Sequence, residues 1–310
     1  MDKINIGDYT FMHATTLYSD GALALKINKI WGIPYVVGVR GSDVNSFSKY
    51  RPDLHTVAKE VLKNASKIIF ISCSIESKFY NLSYVKPIKE ILAKKSLTIS
   101  NGIDDFWFKN IRARKTLLPS RILYIGNFTA NKNVKRLISA FLHLQKVNGA
   151  LRLDLVGKGG ADAKKITELA SQYSDIIKYH GPIYDKEELK IVYQNAHIFA
   201  MTSISETFGL VYLEAMSQGL PIVCSQNEGV DHTFEHKVGE FVNPKSVDSI
   251  EKGLRKILHN YEIYLNEEID FSNYDWERIA DRYYGLYNEI LGANLNKRKA
   301  NQNLNLINKV

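Results

Sequence analysis

The stretch SISETFGLVYLEAMSQGLPIV, residues 203–223, places two glutamates, Glu206 and Glu214, on either side of an apolar run. In most helices such acids are solvated side chains on a polar face. The flanking residues point elsewhere here. Leu210 to Gln218 are good helix formers, Gly219 ends the run and Pro221 forbids its continuation, so the pattern predicts a helix that begins near Gly209. A glycine at a helix start admits the close approach of another group. The free N–H groups of the first turn, at the positive end of the helix dipole, attract an anion such as phosphate. Glu206 lies just before that mouth. Glu214 lies a little over a turn inside, where a carboxylate can accept hydrogen bonds from vicinal hydroxyls such as those of a ribose. Carboxylate, open helix N-terminus and carboxylate together suit a sugar nucleotide.

The rest of the chain reads as an ordinary globular protein. Its 310 residues are 45% hydrophobic and 24% charged, enough for two domains. No apolar run reaches the length of a membrane span, and the N-terminal MDKINIGDY lacks the apolar core of a signal peptide, so a cytoplasmic location is expected. Cys73 and Cys224 sit in apolar, strand-like runs, IIFISCS and PIVCSQ, and are expected to be buried, reduced thiols. The net charge of +8 is spread widely, with concentrations at KNIRARK (109–115) and NKRK (296–299). Such clusters suit a solvated face or weak attraction to an anionic membrane surface. They are not interleaved with aromatics as in a nucleic-acid module, so no nucleic-acid partner is expected.

Short β-branched runs alternate with helical patterns. PYVVGV, KIIFIS, SLTIS, RILYIG, RLDLVG, IIKYHG, HIFAMT and LPIVCS read as strands, most too uniformly apolar to have a wet face, which predicts α/β architecture with parallel sheets covered by helices. The expected division is a first domain over 1–106, a linker over 107–120 carrying charge and a proline, and a doubly wound domain over 121–272. A closing helix is expected over 273–292, followed by an Asn- and Lys-rich tail over 293–310 expected to lack order.

E-x7-E with F-G-L-V inside it and L-E-A-M-x-x-G-L-P-I-V running on from its second glutamate closely resembles the donor-site motif of the GT4 retaining glycosyltransferases, also called glycosyl transferases group 1. Further similar blocks follow in the family's order: HATTLYSDG (13–21), PYVVGVRGSDV (34–44), ISNGID (99–104), YIGNFTANKNVKRLISAF (124–141), LDLVGKG (153–159) and YHGPI (179–183). The resemblance runs from about Asp8 to Leu291. It implies a GT-B fold of two Rossmann-like domains, the second binding the donor, with the closing helix crossing back to the first. The implied activity is transfer of a sugar, with retention, from a nucleoside diphosphate sugar to a carbohydrate or lipid-linked acceptor.

The resemblance also assigns roles. Lys132, which stands after Gly126 at the start of the next helix, is implied to contact the diphosphate, where its charge would stabilise the leaving group. Asn127 stands where the family usually has an arginine, which keeps hydrogen bonding but removes a cation. Gly157 and Gly159, with Pro182 and Ile183, resemble the two loops that line the nucleobase pocket. The motif residues Phe208, Gly209, Leu210 and Val211 are implied to line the donor site, with Glu214 on the ribose. Glu206 is implied to hold donor-sugar hydroxyls; a covalent glycosyl-enzyme intermediate on it is the alternative. In RGSD, Arg40 stands where relatives often have a histidine, and it is expected as a phosphate clamp or as the partner of Asp43 in a salt bridge that orders the loop. His13 is expected to be a structural histidine. No two aspartates are separated by one residue, so no metal and no cofactor beyond the donor is expected.

The resemblance further implies a Gly-rich loop and several strand–helix units before HATTLYSDG, so the first domain is expected to be incomplete. Two outcomes are open at this point: a transferase acting alone or with another chain, and a silent remnant that binds nucleotide or supports a partner enzyme. An uncovered sheet edge is expected to associate with a second copy, a partner chain or a membrane surface.

Overall fold

The computed structural model describes residues 6–112, 118–264 and 269–307, with side chains up to residue 293. The chain forms two compact units, one made of the residues up to Ser100 together with those from Glu277, the other spanning Asn101–Trp276.

In the first unit, strands β1 (Met12–Ala14), β2 (Tyr35–Val39), β3 (Lys67–Phe70) and β4 (Ser96–Thr98) form a parallel four-stranded sheet in sequence order. Alternation decides which face each residue covers. Tyr35, Val37 and Val39 of β2, with Ile68 and Phe70 of β3, face one core, into which helix His55–Asn64 inserts Ala58, Val61 and Leu62. Val36 and Ile69 face the other side, where the closing helix Trp276–Ile307 lays down Ile279, Leu286 and Ile290. Arg282 Nη2 of that helix donates to Thr98 O at 2.8 Å, and Glu289 pairs with Lys67 at 3.0 Å. The helix continues through residues 293–307, where the sequence reading expected a tail without order. Ala, Leu, Lys, Arg and Gln are good helix formers, and neither glycine nor proline follows Gly292 to end the run.

The second unit holds a six-stranded parallel sheet: β5 (Arg121–Ile125), β6 (Arg152–Val156), β7 (Ile177–Gly181), β8 (Ile198–Met201), β9 (Ile222–Ser225) and β10 (Gly239–Val242), in the order β10-β9-β8-β5-β6-β7. The chain starts at the centre, steps outward through β6 and β7, returns to β8 beside β5, and steps outward the other way. This is the doubly wound dinucleotide-fold order, whose switch point lies between β5 and β8. Helices Val134–Val147 and Val247–His259 each turn an apolar stripe to the sheet: Leu137, Ile138, Phe141 and Leu144 in the first, Ile250, Leu254 and Ile257 in the second.

Two expectations need correction here. The division falls at Ser100, ahead of the 107–120 linker read from sequence, because Ile103 and Trp107 belong to the second core. Trp107, 2% exposed on the short helix Asp105–Lys109, meets the Tyr193 ring edge-on at 5.3 Å. Of the linker, 113–117 lie outside the described residues, as does part of the basic cluster at 109–115; the side chains of 296–299 lie outside them too. Cys73 does not extend a strand; it is half-buried and opens helix Cys73–Tyr80, whose cap Ser72 accepts from Ile75 N at 3.2 Å. Cys224 is buried in β9, and both thiols are free.

His197, just before β8, sets an acid limit on this unit. Its Nδ1 accepts from the backbone amides of Ser120 and Arg121, at 3.4 and 3.2 Å, which requires an unprotonated nitrogen there. Burial first, and the Arg121 charge second, hold the imidazole below its ordinary pKa of 6.5. The stability it contributes is therefore present above 6.5 and is lost as the pH falls below it toward the depressed folded-state value. Lowering the pH from about 7.5 to about 5 should reduce the Tm of the wild type more than that of His197→Gln, which keeps an acceptor that does not titrate. Equal losses in thermal melts of the two proteins would contradict this role.

Candidate functional site

Beyond the carboxyl ends of β5 and β8 two loops meet. The first begins at Gly126 (φ 153°), whose N donates to Val156 O at 3.0 Å. Neighbouring Gly157 (φ 146°) approaches so closely that a Cβ there would sit 1.9 Å from Gly126 O. Only glycine fits this contact. Tyr124 OH donates to Asn127 O at 2.8 Å, which fixes the backbone at Asn127 and leaves its side chain exposed. Thr129 caps the following turn, its Oγ1 accepting from Lys132 N at 3.3 Å. Asn133 then adopts a left-handed conformation (φ 59°) and begins helix Val134–Val147. Its buried amide nitrogen donates to Thr202 O at 2.9 Å and Pro244 O at 2.7 Å, and its oxygen accepts from Arg136 Nη1 at 2.7 Å.

The second loop, 202–209, is held against the first by Asn131. Asn131 Nδ2 donates to Ser205 O at 2.8 Å, its Oδ1 accepts from Ser205 N at 3.0 Å, and its carbonyl accepts from Ile204 N at 2.7 Å. This lock brings Lys132 Nζ to 2.5 Å from Glu206 Oε2, with the two side chains 25% and 14% exposed. Ser203 Oγ donates to the same oxygen at 3.3 Å, and Glu206 N donates to Glu228 Oε2 at 2.7 Å. Gly209 (φ 81°) is the N-cap of helix Leu210–Ser217 and has no side chain to satisfy the first-turn amides. A Cβ on it would meet the Tyr212 ring at 2.7 Å. That ring is fixed in turn by a hydrogen bond from its hydroxyl to Met201 O.

Glu214 lies half-buried on the same helix and accepts from Tyr193 OH at 3.0 Å. Burial raises its pKa above the ordinary range against the lowering effect of the Tyr193 hydroxyl; the Asp104 charge adds to the rise and that of Lys186 opposes it. Lys186 is ion-paired with Asp104. The loops after β6 and β7 are joined by Gly157 N donating to Gly181 O at 2.9 Å, with left-handed Gly159 (φ 64°) and Gly181 (φ 73°) exposing Pro182 and half-burying Ile183.

Thus Gly126, Asn127, Lys132, Glu206, Gly209, Leu210 and Val211 converge on the switch point, while Gly157, Gly159, Pro182 and Ile183 lie on the two loops beyond β6 and β7. Phe208 is corrected in part: it is 3% exposed and packs near Tyr274, so only its backbone is available to a ligand. Arg40 lies in the first unit after β2, where its Nε donates to Thr15 O at 3.0 Å. Its loop is ordered by Asp43 through backbone amides rather than through the guanidinium, with Arg40 N at 2.8 Å and Leu17 N at 3.3 Å from the carboxylate. His13 Nδ1 bonds Tyr287 OH at 2.7 Å, and its Nε2 is buried without a partner. The sequence reading passed over Asn131, Asn133, Glu228 and Tyr193. Asn131 and Asn133 had a signal, since asparagines flanking the lysine in a turn before a helix favour local capping and left-handed geometry.

A doubly wound sheet with glycine turns, a lysine and an uncapped helix start at its switch point defines a nucleotide-binding α/β domain, and the two-sheet fold is of the GT-B type. The chain belongs to the glycosyl transferases group 1 family, whose profile matches residues 108–274. It is 25% identical over 286 residues to an uncharacterized glycosyltransferase of Methanocaldococcus jannaschii, covering 84% of this chain and 71% of that protein. It is 29% identical over 222 residues to the GDP-mannose:cellobiosyl-diphosphopolyprenol alpha-mannosyltransferase of Komagataeibacter xylinus, covering 67% of this chain and 54% of that protein. The chain thus spans between about half and seven-tenths of these relatives' lengths. In fold it is similar to Anabaena HepE, solved in complex with UDP, with a TM-score of 0.69 and 19% identity over 91% of this chain and 79% of that one.

The Gly126–Gly157 contact yields a direct test. Gly157→Ala would drive a methyl into the Gly126 carbonyl and impose a positive φ on alanine, at a cost of about 1 to 3 kcal/mol. Gly149→Ala, where an added Cβ has open space, should be nearly neutral. Urea unfolding of both variants checks the contrast, and equal midpoints would contradict the reading.

Proposed function

We propose that this chain transfers a sugar from a nucleoside diphosphate sugar to a carbohydrate or lipid-linked acceptor, with retention of anomeric configuration and without a metal. The observation that carries this reading is the Lys132–Glu206 pair at the mouth of the uncapped helix Leu210–Ser217, beyond the switch point. In this reading the first-turn amides and Lys132 receive the diphosphate, which gives the leaving nucleotide a positive environment made of protein groups. Glu206 holds hydroxyls of the donor sugar, and its link to Lys132 ties sugar recognition to leaving-group stabilisation. Glu214 receives the ribose hydroxyls, with Tyr193 fixing its carboxylate.

The family membership supports a nucleotide-sugar donor. The printed activity of the Komagataeibacter relative, on a diphosphopolyprenol acceptor, supports a lipid-linked or envelope carbohydrate acceptor. Among the described residues no helix is long and apolar enough to cross a membrane.

Glu214→Ala should weaken UDP or GDP binding by about 1.5 to 3 kcal/mol through loss of charge-assisted hydrogen bonds, while Glu206→Ala should spare the bare nucleotide and abolish the extra affinity of the sugar-bearing form. Calorimetric titration of both variants separates the two roles; equal effects on the nucleoside diphosphate alone would contradict them. Wild-type binding of the same ligands should be unchanged by EDTA, and a strict requirement for added magnesium would overturn metal independence.

A further inference from the structure

Glu228 is a carboxylate that the protein buries to 9% exposure. An ionisable side chain is costly to bury unless it is well bonded where it lies. It belongs to the turn that follows β9, and this turn is folded on itself. Asp231, also buried, accepts from Asn227 N at 2.6 Å and from His232 N at 2.9 Å, and Asp231 N donates to Glu228 O at 3.1 Å. The turn is tied to the loop after β8, where Ser225 Oγ donates to Ser203 O at 2.7 Å. Its tip closes on the backbone of Glu206: Glu206 N donates to Glu228 Oε2 at 2.7 Å, and Gly229 N donates to Glu206 O at 2.9 Å. Consecutive residues of one turn thus take both polar backbone groups of a single residue on another loop.

The Glu206 side chain is confined as well. A Cβ on Gly209 or on Gly229 would lie 3.3 Å from Glu206 Cγ, so the stem runs close past two glycines. Gly229 holds φ 56°, a conformation that glycine adopts without strain. At the end of the stem, Lys132 Nζ at 2.5 Å and Ser203 Oγ at 3.3 Å both meet Oε2. Backbone, stem and carboxylate oxygen are each fixed by a different contact. A carboxylate that served only to neutralise Lys132 could do so from several rotamers and would need no clasp on its backbone. A fixed direction is what the recognition of hydroxyls requires.

We propose that Glu228 is a positioning residue for Glu206: by holding the Glu206 amide, it sets the direction from which the Glu206 carboxylate meets the hydroxyls of the donor sugar. The proposal rests on the proposed function, in which Glu206 receives those hydroxyls. Glu228 acts through the backbone of residue 206, with a charge-assisted bond of the stronger kind.

The test is calorimetric titration of the full chain with UDP beside UDP-glucose, UDP-galactose and UDP-N-acetylglucosamine, and with GDP beside GDP-mannose. It reads the affinity ratio of the sugar-bearing over the bare nucleotide. In Glu228→Ala that ratio should fall about tenfold while bare-nucleotide affinity stays within about twofold, since the lost bond serves the sugar side alone. Glu228→Gln, which keeps an acceptor oxygen at the same reach, should hold the ratio within about threefold of the wild type. On a Glu206→Ala background, Glu228→Ala should change the ratio no further, because no carboxylate remains to be positioned. A lowered Tm in Glu228→Ala with an unchanged ratio, an equal loss in Glu228→Gln, or an undiminished further loss on the Glu206→Ala background overturns the positioning role alone. A wild type that binds neither nucleotide, or gains nothing from any of the sugars, overturns the proposed role of Glu206 and this proposal with it.

Discussion

The reversal of strand order between β5 and β8 is the constraint from which the second unit's chemistry follows. All six strands are parallel, the connections from β5 through to β9 each return by a helix, and the connections from the two central strands leave in opposite directions. The crevice at their carboxyl ends lets two loops face each other over a rigid sheet. Asn131 and Asn133 use it, bonding the loop after β5 to the backbone of the loop after β8. The Lys132–Glu206 pair is a consequence of that lock.

Backbone conformations that only small residues tolerate make the site tight. Gly126 and Gly157 pass each other at a distance no side chain permits, and Gly209 leaves the helix start unshielded. At this crevice the charges of Lys132 and Glu206 are matched to each other. A partly buried pair such as Lys132 and Glu206 contributes little net stability when both members are present, and removing one strands the other. Its value lies in placement: a cation and a carboxylate side by side offer an anion and a set of hydroxyls their partners at neighbouring points.

The eight runs read as strands all contain strands; in β2, β3, β8 and β9 residues buried on both faces leave a continuous apolar signature, while β4 and β7 are only partly buried. Two further strands escaped. In β1, Met12–Ala14, three residues are too few for a period; in β10, Gly239–Val242, a glycine and Glu240 break the apolar run. Glu240 is accommodated by Tyr264 OH at 2.7 Å and Lys237 at 3.0 Å, partners that no local pattern announces. Helix Leu210–Ser217 was legible because its glycine start and its Gly-x-Pro stop are local signals. The residues that build the site around it were not, since Glu228 meets Glu206 N from 22 positions away and Tyr193 meets Glu214 from 21. The domain division was misplaced for a similar reason: Trp107 reads as part of a charged segment but is captured by Tyr193.

The most direct measurement is a crystal structure of the chain soaked with the nucleoside diphosphate that it binds most tightly. The account predicts the diphosphate within hydrogen-bond distance of Lys132 Nζ and the backbone amides of Leu210 and Val211, with the ribose hydroxyls on Glu214, beyond the carboxyl ends of β5 and β8. A nucleotide bound elsewhere on the second unit, with the Lys132–Glu206 pair untouched, would contradict it.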